Sequence, residues 1–156
     1  MGNLMQQLKF LNKKEAKQIL EMLESQWGFK GELDYVFMMN SRNKIYIINR
    51  DISKVDLEKL RIDSIGLYFG ETLGNEIRLS IEGSQMIGKN CSKNICELND
   101  AEFKEWLAGN DLHKEEGSGF MLVRHNDDFV GCGKAGKDKF YNYIGKNRRI
   151  TASDWA

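Results

Sequence analysis

The chain has 156 residues, three cysteines and equal numbers of acidic and basic residues, so its formal net charge is zero. This length suits one domain of ordinary size, or two small ones that share a core. The cysteines are odd in number and lack Cys-x-x-Cys spacing, which predicts reduced thiols and a cytoplasmic location and argues against a zinc site. No apolar run is long enough to predict a membrane-spanning helix, and the N-terminus lacks the apolar core of a signal peptide.

The N-terminal half has an α/β pattern. Apolar residues recur at helical spacing from Asn12 to Trp27, with Asn12 and Glu15 as an N-terminal capping pair and Gly28 as the stop. The runs that follow predict, in chain order, the two strands of a hairpin, a short amphipathic helix and a third strand, at 34–40, 44–49, 53–60 and 65–70.

After Gly74 the pattern changes to short strands and brief helices. Ser80 and Asn99 each precede a brief helical run, in the position of an N-cap. A short strand is predicted at 76–80, and the strand-like runs at 120–124, 129–133 and 139–144 have the spacing of a small β barrel or sandwich. We therefore predict a boundary near Gly74, between an α/β domain of residues 1–73 and a mostly β domain of residues 75–150.

Charge is segregated in the C-terminal half, although the whole chain is neutral. Residues 97–116, the acidic block, hold seven acidic and two basic residues, whereas residues 130–150 hold six basic and one acidic residue. Cations pair with phosphates, and the interleaved aromatic rings offer faces on which unpaired bases stack. Residues 133–150, the basic ribbon, therefore predict nucleic-acid binding, with an ordinary solvated strand edge as the alternative.

Two tyrosines of the basic ribbon allow two interpretations. Tyr141 and Tyr143 are two residues apart, which puts both on the same face of a strand. Because the interior of a small barrel must be filled, we expect at least one of them to be a core residue.

Catalytic and metal-binding patterns are missing from the sequence. His113 and His125 belong to no His-x-x-x-His pattern and accompany no cysteine pair. The glycine-rich run GCGKAGK, at 131–137, lacks both the spacing of a P-loop and that of a dinucleotide-binding fingerprint. We therefore predict no metal, no cofactor and no enzymatic activity.

The C-terminal sequence resembles the end of PUA-like RNA-binding domains, especially those attached to Sun-type RNA cytosine-5 methyltransferases and their archaeal relatives. The residues that carry the resemblance are, in order, Leu122-Val123, Gly131-Cys132-Gly133-Lys134, Asn142-Tyr143-Ile144-Gly145-Lys146 and Arg148-Arg149. Gly145 departs from the pattern, because those domains usually have proline there. Residues 65–88 are similar to the segment with which such domains begin.

The N-terminal half is similar to the pre-PUA module of a ribosome-assembly factor family that carries a C-terminal PUA domain. The two resemblances imply an α+β fold, with a pre-PUA-like unit packed on a PUA-like β pseudobarrel. They also imply an RNA-binding protein without catalysis of its own, because the methyltransferase motifs are absent from this sequence. The residues that we expect to contact RNA are Lys134, Lys137, Lys139, Tyr141, Asn142, Lys146, Arg148 and Arg149.

The family resemblance implies structured ribosomal or transfer RNA as the partner, in support of RNA modification or ribosome assembly. An RNA methyltransferase or a ribosome-assembly protein is the implied protein partner. The alternative is a protein-interaction module that docks a partner RNA-modifying enzyme without touching RNA itself.

Overall fold

A computed structural model describes residues 8–50, 66–151 and 154. The helices in these residues are α1 (Lys13–Trp27), α2 (Ile81–Ile87) and α3 (Asp100–Leu107), and 3-10 turns lie at Gly88–Asn90 and Lys146–Arg148. The strands are β1 (Lys9–Phe10), β2 (Tyr35–Met39), β3 (Lys44–Asn49), β4 (Leu67–Leu73), β5 (Glu76–Leu79), β6 (Ile95–Glu97), β7 (Gly119–His125), β8 (Asp128–Ala135) and β9 (Phe140–Asn142). Helices and sheets together make the fold α+β, and the helix predicted at 53–60 lies outside the described residues.

Local side-chain chemistry sets the ends of the helices. Asn12 accepts a hydrogen bond from the Glu15 N–H while Glu15 accepts one from Asn12, so the predicted capping box of α1 is confirmed. Gly28 ends α1 in the left-handed region at φ 66°, where a side chain would be strained. Asn99 and Glu102 form the same capping box at α3. No helix in the described residues is long and apolar enough to cross a membrane.

The described strands of the N-terminal half and β5 form a five-stranded antiparallel sheet in the order β1-β2-β3-β4-β5. The predicted hairpin is confirmed, since β2 pairs with β3 from Tyr35 opposite Asn49 to Met39 opposite Ile45. β4 and β5 pair from Gly70 opposite Leu79 to Leu73 opposite Glu76, and Gly74 lies in the turn between them. The boundary predicted near Gly74 therefore falls within one sheet.

The remaining described strands form a four-stranded sheet in the order β6-β7-β8-β9. The three-residue β6 runs parallel to β7, and the other pairings are antiparallel. The turn between β7 and β8 holds Asn126 and Asp127, both with positive φ, which is the geometry that tight hairpin turns require. This sheet carries the basic ribbon along β8 and β9.

One core cluster joins elements from both sides of Gly74. Its fully buried side chains include Trp27 of α1, Phe69 of β4 and Leu122 of β7. Trp27 also donates its indole Nε1–H to the carbonyl of Phe120, at 3.1 Å. A second cluster surrounds the buried Trp106 of α3. The division into domains 1–73 and 75–150 stays a prediction, because shared packing does not measure independent folding.

Candidate nucleic-acid interface

The basic ribbon alternates buried and exposed side chains. Phe140 and Ile144 point into the second core cluster, whereas Tyr141 and Tyr143 remain 43% and 42% exposed. The expectation that at least one tyrosine is a core residue is therefore wrong. The cause is strand parity: Phe140 and Ile144, which share the opposite face, supply the apolar volume instead.

The four lysines of the basic ribbon are exposed. Lys134 lies on β8 with its Nζ 5.2 Å from the ring centroid of Phe120. In the part of the chain that the structure describes, Lys137, Lys139 and Lys146 make no ion pair. These charges are thus available to an anionic partner.

Asn142 is engaged inside the protein. Its Nδ2 donates to the carbonyl oxygens of Trp106, at 2.8 Å, and Asn110, at 3.1 Å. Its Oδ1 accepts from the N–H of Ile144 at 2.8 Å. Both amide donors and the amide oxygen are therefore used to tie β9 to the end of α3, which fixes the turn that presents Tyr143.

The two arginines of the basic ribbon differ from the lysines because each has a partner. Arg148 Nη1 lies 2.6 Å from Glu82 Oε1, which is on α2. Arg149 Nε donates to the carbonyl of Ile144 at 3.1 Å, and its guanidinium lies against Gly109, where any side chain would collide with it. Arg148 is thus held at α2, and Arg149 packs on the loop after α3.

A cavity of about 280 Å³, the ribbon cavity, opens between α2, β8 and the turn that follows β9. Four of its side chains are aromatic or cationic, and they are Tyr68, Arg78, Tyr143 and Arg148. The guanidinium carbon of Arg78 lies 4.5 Å from the ring centroid of Tyr143, in a cation–π contact. Arg78 also pairs with Glu71, with Nη2 2.6 Å from Oε1.

The ribbon cavity combines flat apolar faces with fixed hydrogen-bond donors. Burial raises the pKa of the Tyr68 hydroxyl, and the charge of Glu71 adds to the effect, so this phenol stays neutral. Neutral rings can stack on a nucleobase, and the two guanidinium groups can donate to phosphate or to base edges. Sequence analysis missed Tyr68, Arg78 and Glu82, because they precede the basic ribbon by many residues and only the fold brings them to it.

The cysteines have the environment of structural residues. All three are free thiols. Burial raises the pKa of Cys91 and of Cys96 to about 11 and that of Cys132 to about 12, so none is a thiolate at neutral pH. Among the described residues no group of His, Cys, Asp or Glu side chains could hold a metal ion.

Ion pairs and a ring stack hold side chains of the acidic block in place. Lys114 Nζ lies 3.0 Å from a Glu102 oxygen and 3.3 Å from a Glu116 oxygen. His125 stacks on the ring of Phe103 and places its Nε2 2.8 Å from an oxygen of Asp100. These contacts give Lys114 and His125 structural roles at the surface of α3.

In a comparison with known protein families, residues 93–150 match the profile of the family described as the methyltransferase RsmF PUA domain. The chain is also similar to the ribosomal RNA small subunit methyltransferase F of Aeromonas salmonicida, with 30% identity over 125 residues. The protein of the same name from Aeromonas hydrophila shows 29% identity over 123 residues. Each match covers 78% of this chain but only 25% of the relative. Residues 93–150 thus form a PUA-like domain of the type linked to Sun-type RNA methyltransferases.

Proposed function

We propose that this chain binds structured ribosomal or transfer RNA through the basic ribbon and the ribbon cavity, as a non-catalytic accessory to RNA modification or ribosome assembly. The observation that carries the proposal is the cavity itself, in which Tyr68 and Tyr143 stand beside Arg78 and Arg148. Exposed lysines on the adjoining turns supply the attraction to phosphate. A neutral chain can bind RNA in this way, because charges act over a Debye length of about 8 to 10 Å.

Two further features belong to the proposal. Residues 1–73 act as a pre-PUA-like unit, and residues 75–150 form a PUA-like pseudobarrel on which this unit packs. The mixed core, in which residues of α1, β7 and β8 belong to one cluster, supports this arrangement. The relatives are named as ribosomal RNA methyltransferases, and the matched region is a quarter of their length, which supports an RNA-binding role without the chemistry. The cytoplasmic location stays a prediction.

Salt-dependent RNA binding tests the proposal. Fluorescence anisotropy with a labelled single-stranded RNA should give a log–log slope of affinity against salt of about −3 from the four lysines of the basic ribbon, at about −0.7 each, and a steeper slope if further cations contact phosphate. Replacing Lys137, Lys139 and Lys146 together by alanine should weaken binding and flatten the slope by about two units.

The matched control removes three exposed lysines of α1, Lys13, Lys14 and Lys17, and should bind as the parent does. If the ribbon variant binds RNA with the affinity and slope of the parent, the basic ribbon is a solvated strand edge and the proposal fails.

The acidic block favours a second function, docking of a partner RNA-modifying enzyme without RNA contact. Six of its seven carboxylates lie on and after α3, where Lys114 neutralises only part of the charge. Purification at low salt separates the two proposals. An RNA-binding chain should copurify with nucleic acid, which raises the ratio of nucleic-acid absorbance to protein absorbance in the ultraviolet spectrum of the sample. Protein free of nucleic acid that also fails to bind added RNA would favour the docking function.

A further inference from the structure

We propose that the RNA path continues from the ribbon cavity onto the five-stranded sheet, where Tyr46 and Tyr68 form a stacking platform for unpaired bases beside Lys44. This inference rests on the proposed RNA-binding function and specifies its ligand: a single-stranded segment of the RNA. The family profile matches residues 93–150 only, so these three residues lie outside the profile, although the matches to the two relatives cover 78% of the chain and extend over them.

The platform is built by direct cross-strand pairing. Tyr46 of β3 lies opposite Tyr68 of β4, and their ring centroids are 5.5 Å apart with an interplanar angle of 48°. Lys44 holds its Nζ 5.7 Å from the centroid of Tyr68. The neighbours of Tyr46 on β3, Ile45 and Ile47, are buried in the main core cluster, so strand alternation turns Tyr46 to the opposite face. There Tyr46 is half-buried beside its fully buried cross-strand partner Met38.

Tyr68 connects the platform to the ribbon cavity, because the same side chain lines that cavity. From there the contacts continue without a gap. Arg78 lies over the ring of Tyr143, and that ring is 6.1 Å from the ring of Phe120. Lys134 of the basic ribbon covers Phe120 in turn. The accessible members of this series thus alternate between cation and ring, whereas Phe120 between the last two is buried; they are Lys44, Tyr68, Arg78, Tyr143 and Lys134.

This alternation fits single strands better than duplexes. In a single strand, unpaired bases can stack on the aromatic rings, and the phosphates between successive bases can contact the cations that lie between the rings. A paired RNA helix hides its base faces and offers phosphates and ribose hydroxyls instead. A duplex would therefore use the lysines of the basic ribbon and leave the platform empty.

Two RNA probes test the platform: an oligouridylate of about 16 nucleotides, at the upper end of known single-strand site sizes, and a perfect RNA duplex of the same length. Replacing Tyr46 by leucine should weaken the single strand by about five-fold to a hundred-fold, the range of one lost stacking contact, and leave duplex affinity unchanged. Tyr46→Phe should restore the affinity. Lys44→Ala should flatten the salt slope for the single strand by about 0.7.

Lys17→Ala, on the exposed face of α1, is the matched control for Lys44→Ala, and the Lys137, Lys139 and Lys146 variant reports on the ribbon separately. If the parent binds RNA and the ribbon variant does not, while the Tyr46 and Lys44 variants bind both probes as the parent does, the platform is overturned and the proposed function stands. Equal losses on both probes would also overturn it. A parent that binds neither probe would defeat the proposed function itself.

Discussion

Glu82 should compete with RNA for Arg148, so neutralising it should strengthen binding. In the free protein the two side chains form an ion pair with 47% of Arg148 and 30% of Glu82 exposed. An ion pair this exposed is worth about 0.2 to 1 kcal/mol. A phosphate that takes the place of the Glu82 carboxylate must offset that energy. Glu82→Gln removes the cost and should raise RNA affinity by about 1.4-fold to 5-fold.

Arg148→Ala should act in the opposite direction. It removes one phosphate contact, so the affinity should fall at every RNA sequence and the salt slope should flatten by about 0.7. Anisotropy titrations of the parent, both single variants and the double variant form a double-mutant cycle that isolates the coupling. In the double variant the gain from Glu82→Gln should shrink, because no guanidinium remains to be released.

The sign of the change in RNA affinity caused by Glu82→Gln shows whether Glu82 competes with RNA for Arg148 or holds the turn in place. A loss of affinity similar to that of Arg148→Ala would mean that the ion pair acts as a strut that holds the turn at Lys146–Arg148. No effect in either variant would place Arg148 outside the RNA path. Urea unfolding of each variant should agree with the parent within about 1 kcal/mol, as expected for an exposed pair.

Three other predictions follow from local geometry. Asn99→Ala removes the cap of α3 and should lower the free energy of unfolding by about 1 kcal/mol in urea titrations, with RNA affinity retained. Gly145 has φ −62°, an angle that proline adopts, so Gly145→Pro should raise stability by about 0.4 to 1 kcal/mol in thermal melts; a lower melting temperature would show that the turn does not accept the ring. Burial raises the pKa of Cys91 from 9.0 to about 11, so its alkylation by iodoacetamide should be slow at neutral pH and accelerate about ten-fold per pH unit towards that value. Mass spectrometry should find the buried Cys96 and Cys132 unlabelled until the protein unfolds, and their rapid labelling at neutral pH would contradict the core packing.

Elements that depend on neighbouring residues are predicted well from the sequence. Asn12 and Asn99 with their glutamates mark the starts of α1 and α3, because a capping box is formed within four residues. The β2–β3 hairpin and the strands of the basic ribbon follow from alternation and turn residues. In contrast, β1 and β6 are two and three residues long and exist only through their partners in the sheets, so no local pattern indicates them.

The sequence predicts the lysines of the candidate site but only some of the residues of its cavity. Composition identifies the exposed lysines, but it cannot tell a polar group that is free from one that is used inside the protein. The side-chain amide of Asn142 forms hydrogen bonds with α3 and with the turn after β9, and Arg149 donates a hydrogen bond to a carbonyl of the same turn. The cavity residues Tyr68 and Arg78 carry no sequence signal of binding, because strand pairing alone brings them to the basic ribbon.

The pairing of the cavity arginines indicates what kind of selectivity this site can have. Arg78 and Arg148 each face a glutamate, so the cavity has little net charge although it holds two guanidinium groups. General attraction to phosphate must then come from the exposed lysines around it, and that attraction does not distinguish one RNA from another. The cavity instead offers rings and oriented donors, which favour bases whose faces and edges are free. Discrimination between paired and unpaired RNA should therefore depend on the tyrosines of the cavity and the platform, Tyr46, Tyr68 and Tyr143, and hardly at all on the lysines of the basic ribbon.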